Sequence, residues 1–131
     1  MLVDTNVLVD VLQDDPQWAD WSMSQLQAQS RVHRLVINPI IYAELSLSFT
    51  RIEKLDDALS DMLLPMLELP KPALFLAGKA HIQYRRRGGA KHHVLSDFFI
   101  GAHAAVSRMP LLTRDVSRYA TYFPSVRLIT P

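Results

Sequence analysis

A chain of 131 residues, 49% apolar and 21% charged, has the length of one domain and the balance of an ordinary globular protein. It contains no cysteine, which excludes disulfides and thiolate metal sites, and no apolar run long enough to span a membrane. The net charge of +1 conceals an asymmetry: residues 1–68 hold 11 acids and 4 bases, whereas residues 69–131 hold 10 bases and two acids, Asp97 and Asp115.

"MLVDT" reads as a short buried strand. No basic-then-apolar signal precedes it, and the fold is expected to begin at Met1; a reducing cytoplasm, with which the absence of cysteine is compatible, is the expected setting. "NVLVDVLQ" supplies one or two helical turns. "DDPQWADWSMSQLQAQ" predicts a helix with Asp15 as N-cap and Pro16 in the first helical position. "RLVINP" is a second buried strand, and Asn38 followed by Pro39 starts a helix through "IIYAELSLSF". Another helix runs through "RIEKLDDALSDML", and "MLELP" reads as a short strand. Pro72 opens a helix that ends at "YRRRGG", with basic residues in its last turn and glycine just beyond. Ser96 is placed to cap "DFFIGAHAAVSR"; "PLLT", "RDVSRYATYF" and "VRLI" then read as strand, short helix and strand. This alternation predicts a single α/β domain over residues 1–131, with three α/β/α layers and a central, mostly parallel sheet.

In such sheets, sites form beyond the carboxyl ends of the strands. Four acids fall there. Asp4 ends the first strand, Glu44 lies in the helix leaving the second, Asp97 starts a helix, and Asp115 follows the strand ending at Thr113. Glu44 has Ile40, Ile41, Leu47 and Ser48 at helical spacing, so its carboxylate is expected to point inward. Gly101, four residues after Asp97, is expected to leave space beside that acid. Each acid alone has an ordinary explanation: a helix cap or first-turn acid for Asp4 and Asp97, a turn residue for Asp115, an ion pair for Glu44. Together they would repel unless something compensates, and a hard divalent cation does so while binding phosphate.

The motifs "LVDTNVLVD", "IIYAEL", "LSDFFIGAHA" and "LLTRD", in this order along the whole chain, resemble those of the PIN-domain ribonucleases. The toxins of VapBC and FitAB toxin–antitoxin modules are the branch they look most like. The resemblance implies a PIN-like fold, Mg²⁺ or Mn²⁺ as cofactor, and endonucleolytic cleavage of RNA. It also implies a homodimer and inhibition by a small antitoxin protein. Carried across by position, Asp4, Glu44, Asp97 and Asp115 match the family's catalytic and metal-holding acids. Asn6 and Thr113 match supporting polar positions, and Ser96 stands directly before the aspartate of the third motif.

From Leu69 to Ser96 there is no acid, and Arg85, Arg86, Arg87 and Lys91 form a candidate contact for RNA phosphates; the alternative is a helix cap and a solvated loop. His92 and His93 do not suit a hard cation. His81 and His103 read as hydrogen-bonded structural residues, and His33 as a surface one. Trp18, Trp21, Met23 and Leu26 do not share one narrow helical stripe, so part of that helix is a candidate partner surface, with Leu55, Leu59, Met62, Leu63 and Met66 offering another. A PIN nuclease that processes RNA without an antitoxin is the neighbouring alternative. A non-catalytic RNA- or protein-binding module would explain the basic half but not the four acids. A haloacid-type phosphatase would need a second aspartate where Asn6 stands, and a phospho-receiver would not use Glu44 and Asp97.

Overall fold

The computed structural model describes residues 1–90 and 94–131, and the expectations placed on Lys91, His92 and His93 lie outside the described residues. Three short strands form the centre: β1 (Leu2–Val3), β2 (Leu111–Leu112) and β3 (Leu128–Ile129), in that order and all parallel. Leu2 faces Leu111 and Val3 faces Leu112; Leu111 and Leu112 then pair with Leu128 and Ile129. On the other flank of β1, single parallel bridges join Leu2 to Val36 and Ile37 to Met66. The predicted second strand and the "MLELP" strand are thus present as single bridges. The first is cut short because Asn38 turns the chain into a helix by accepting the Ile41 N–H at 3.0 Å.

Leu2, Val3, Leu111 and Leu112 are fully buried, as expected of parallel strands covered on both faces. Each contributes roughly 1.5–3 kcal/mol relative to exposure. Seven helices cover them among the described residues: α1 (Thr5–Leu12), α2 (Ala19–Ser30), α3 (Pro39–Leu45), α4 (Ile52–Asp61), α5 (Lys71–Arg86), α6 (Leu95–Val106) and α7 (Ser117–Tyr122). The result is the three-layer α/β/α domain predicted. α1 packs on α2 and α3, and α6 packs on α3, α5 and α7. Ala73, Ala77 and Ala80 form a small-residue stripe on α5 that admits the neighbouring helix closely. Phe98 of α6 takes edge contacts from Tyr84 (5.6 Å between ring centres), His81 (5.8 Å) and Tyr122 (5.2 Å), which bind α5, α6 and α7 together.

Several local expectations change. α2 begins at Ala19, because Asp15 accepts the N–H groups of Gln17 and Trp18 and thereby caps the preceding turn. Ser96 is not a cap: α6 starts two residues earlier than expected, at Leu95 after the buried Val94, and Ser96 lies in its first turn. The helix from Pro39 ends at Leu45 and passes into a 3₁₀ turn, Ser46–Ser48, leaving Leu47 88% exposed rather than part of an apolar stripe. Gly101 serves a different need from the one expected. A Cβ there would come within 2.3 Å of the Phe123 ring, so the glycine admits that ring. Leu55 and Leu59 are core residues, whereas Leu63 and Met66 are exposed and Met62 is half-buried. His103 is buried and accepts from Asn38 Nδ2 at 3.1 Å, as a structural histidine should; the buried Nδ1 of His81 has no partner among the described residues. His33 is half-buried. Among the described residues, no helix is long and apolar enough to cross a membrane.

Candidate active site

The C-terminal end of β1 delivers Asp4, which is only 3% exposed. Its Oδ1 accepts the Thr5 N–H at 2.8 Å, so the side chain also caps α1. Oδ2 accepts Thr113 Oγ1 at 2.8 Å, the Tyr119 hydroxyl at 3.0 Å and Asn6 Nδ2 at 3.4 Å. Thr113 stands just past β2, where its N–H continues the ladder to Ile129 O at 3.1 Å. Its hydroxyl, donated to Asp4, accepts Asn6 Nδ2 at 3.3 Å and the Asp115 N–H at 3.0 Å. Even with these donors, burial, and after it the charge of Asp97, raises the Asp4 carboxyl to about 7 from the ordinary 3.8. The phenol of Tyr119, fully buried, is pushed well above its usual range by burial and by the charges of Asp4, Asp97 and Glu44.

Glu44 is half-buried. Its Oε1 accepts Thr5 Oγ1 at 2.6 Å and its Oε2 accepts Ser96 Oγ at 3.4 Å, so the first and third motifs meet on it. Asp97, in the first turn of α6, forms an ion pair with Arg118 of α7. Asp115 is half-buried and turned to its own loop, where Ser117 Oγ donates to Oδ1 at 3.4 Å. The fold therefore brings Asp4, Asp97 and Glu44 into one electrostatic neighbourhood, with Asn6, Thr113 and Ser96 between them. Asp115 joins it through the backbone, by way of Thr113. Among the described residues no three carboxylate or imidazole groups are close enough to hold one metal ion between them.

The donor chemistry nonetheless suits a hard divalent cation. All donors are oxygens, and Mg²⁺ is typically held by only one or two carboxylates and several waters. The difficulty of ionising Asp4 beside Asp97 is one that such a charge relieves.

A family model of the PIN domain matches residues 1–123. The chain belongs to the PIN-domain family. Solved structures align with this PIN domain almost end to end. VapBC2 from Rickettsia felis, bound to a DNA fragment from its promoter, is 19% identical with a TM-score of 0.74, covering 98% of this chain and 96% of that one. FitAcB from Neisseria gonorrhoeae is 20% identical with a TM-score of 0.71, covering 99% and 96%. VapBC-1 from nontypeable Haemophilus influenzae is 18% identical with a TM-score of 0.74, covering 98% and 96%. No curated protein matches the sequence.

Four residues around the site of this PIN domain carry little signal in the sequence: Asp10, Arg114, Arg118 and Tyr119. Tyr119 and Arg118 sit in the short helix after "LLTRD", where neither residue stands out from its neighbours. Asp10 falls in an ordinary helical pattern, yet it is 2% exposed. Arg85, Arg86 and Arg87 are exposed at the end of α5. That end adjoins the site's rim: Arg87 lies 5.4 Å over the Tyr122 ring, and Arg118 lies 6.0 Å over the Tyr84 ring.

Proposed function

We propose that this PIN domain is a metal-dependent endoribonuclease and the toxin of a toxin–antitoxin module. The observation that carries the reading is the Asp4 carboxylate, buried at the end of the central strand with Asp97 and Glu44 beside it. A Mg²⁺ or Mn²⁺ ion bound there would polarise an RNA phosphodiester and acidify water for in-line attack. Asp4 and Asp97 would hold it, with Glu44 and Asp115 as further acidic groups at its rim. Thr113, Tyr119 and Asn6 fix the orientation of Asp4, while Thr5 and Ser96 do the same for Glu44. Arg118 balances the charge of Asp97, a task that a bound cation would share. The exposed Arg85, Arg86 and Arg87, with Lys91 beyond them, would track the RNA backbone, which gives affinity without sequence information.

The partner reading rests on the likeness to VapBC and FitAB structures and on an apolar cleft of about 480 Å³. The cleft is lined by Val11, Leu12, Met23, Leu26, Ala58 and Met62, and a small antitoxin would fill it. Leu74, Phe75 and Ile82 lie exposed on α5, and a second copy of the chain would cover them to give a homodimer. The setting is the cytoplasm, where RNA and antitoxin are both at hand.

The test is cleavage of a mixed RNA pool by the wild type and by Asp97→Asn. The wild type should cleave with Mg²⁺ or Mn²⁺ and stop on chelation. The variant, well folded by circular dichroism, should lose activity by about 100-fold or more. Near-normal cleavage by a folded Asp97→Asn variant would remove Asp97 from the chemistry.

A further inference from the structure

The acidic site is flanked by a second polar cluster. Asp10 stands on α1 one helical turn after Asn6, buried, and Arg114 directly follows Thr113. The Arg114 guanidinium meets Asp10 with both prongs: Nε donates to Oδ2 at 2.7 Å and Nη2 donates to Oδ1 at 2.9 Å. Ser22 of α2 donates to the same Oδ2 at 2.7 Å. The guanidinium lies 5.0 Å over the Trp18 ring. The Arg114 backbone N–H donates to Asn6 Oδ1 at 3.2 Å. Both ends of the ion pair are therefore coupled to residues that touch Asp4, since Asn6 and Thr113 each donate to its Oδ2.

A buried ion pair adds little net stability, because desolvation offsets the attraction. A planar two-pronged contact does, however, fix geometry in a way that a single charge cannot. We propose that Arg114 is a positioning residue for the acidic site: its two-pronged pair with Asp10 pins α1 to the loop after β2, so that Asn6 and Thr113 hold Asp4 in one orientation. This rests on the nuclease reading only for its consequence in catalysis; the positioning itself is independent of it.

Two variants test it. Arg114→Ala leaves a cavity shaped for a guanidinium, although an unpaired buried Asp10 endangers its folding. The double variant Asp10→Asn with Arg114→Gln removes both charges together, so it leaves no buried charge unpaired, and circular dichroism checks that it folds. With RNA as substrate, the double variant should lose about 100-fold in kcat while KM changes by less than about threefold, the signature of misplacement rather than weakened binding. Guanidinium chloride below denaturing concentration should restore about tenfold of the lost kcat to Arg114→Ala, and Arg114→Lys should not substitute for arginine. The NMR signals of the Asn6 side-chain amide and the Thr113 methyl should shift in the double variant at unchanged melting temperature. A folded double variant with kcat within about threefold of wild type, or with unmoved Asn6 and Thr113 signals, overturns the proposal. Should the wild type itself cleave no RNA, the nuclease reading fails, and the two NMR signals alone decide whether Arg114 positions the site.

Discussion

Asp4 has two tasks at once. It ends a strand and caps a helix through the Thr5 N–H, and it does so from a place that resists its charge. Its carboxyl is raised to about 7, first by burial and then by Asp97, against an ordinary 3.8. A group whose folded value is raised contributes stability below its unfolded value and loses it as pH rises toward the folded one. The metal-free protein should therefore lose stability between about pH 4 and pH 7, and a bound divalent cation should restore it. Protons and a cation held by Asp4 would compete for the same carboxylate. Affinity for Mn²⁺, measured calorimetrically, should thus fall by up to about tenfold per pH unit below pH 7 and level off above it. Asp97→Asn should lower the titration midpoint of Asp4, because it removes the neighbouring charge. An affinity independent of pH from about 5 to 8 would show that Asp4 does not hold the cation.

Among the helices, the N-terminal signals differ in how well they read: Asp15 and Ser96 do not cap the helices expected of them, whereas Asn38 does. Asn38 before Pro39 starts α3 as expected, with its Oδ1 on the Ile41 N–H and its amide donating to His103 on α6. That arrangement requires His103 to be neutral with its proton on Nε2, and burial lowers its pKa from the ordinary 6.5. A lowered histidine contributes stability above its unfolded value and loses it as pH falls. The His103 contribution should therefore disappear below about pH 6.5, which is opposite in sign to the Asp4 effect. Asn38→Ala should cost about 1–2 kcal/mol in urea unfolding at pH 7, from the lost cap together with an unsatisfied imidazole. A loss below about 0.3 kcal/mol would mean that neither bond is important.

Local and long-range interactions differ in how far the sequence discloses them. Asp4, Glu44, Asp97 and Asp115 stand out because strand ends and helix starts are local patterns. Ser96 does not cap its helix because its hydroxyl is drawn instead to Glu44, 52 residues away in sequence. The Asp10–Arg114 pair spans 104 positions and the Tyr119–Asp4 bond 115, and no periodicity signals partners at that range. The glycine at position 101 is visible in the sequence, but its ring partner Phe123 is not.

Across the molecule as a whole, basic and apolar surface lie in different places. The basic end of α5 adjoins the acidic site through arginines lying over the Tyr122 and Tyr84 rings, whereas the apolar cleft lies between α1, α2 and α4. Replacing Arg85, Arg86 and Arg87 by glutamine should flatten the dependence of RNA binding on salt by a slope of about 2, at roughly 0.7 for each phosphate no longer neutralised. kcat at saturating RNA should change little. An unchanged slope would leave these residues as a helix cap and solvated surface.

In the proposed chemistry, carboxylates and a divalent cation activate water, so the RNA's own 2′-hydroxyl is not the nucleophile. The described residues offer no pair of histidines for the competing general acid–base route, and buried His103 is committed to Asn38. Mass spectrometry of the fragments from a defined RNA separates the two routes. Water attack requires Mg²⁺ or Mn²⁺ and leaves a 5′-phosphate and a 3′-hydroxyl, including from a substrate with deoxyribose at the cut site. A 2′,3′-cyclic phosphate formed without added metal would show instead that the ribose itself attacks and that the four acids do not hold a catalytic cation.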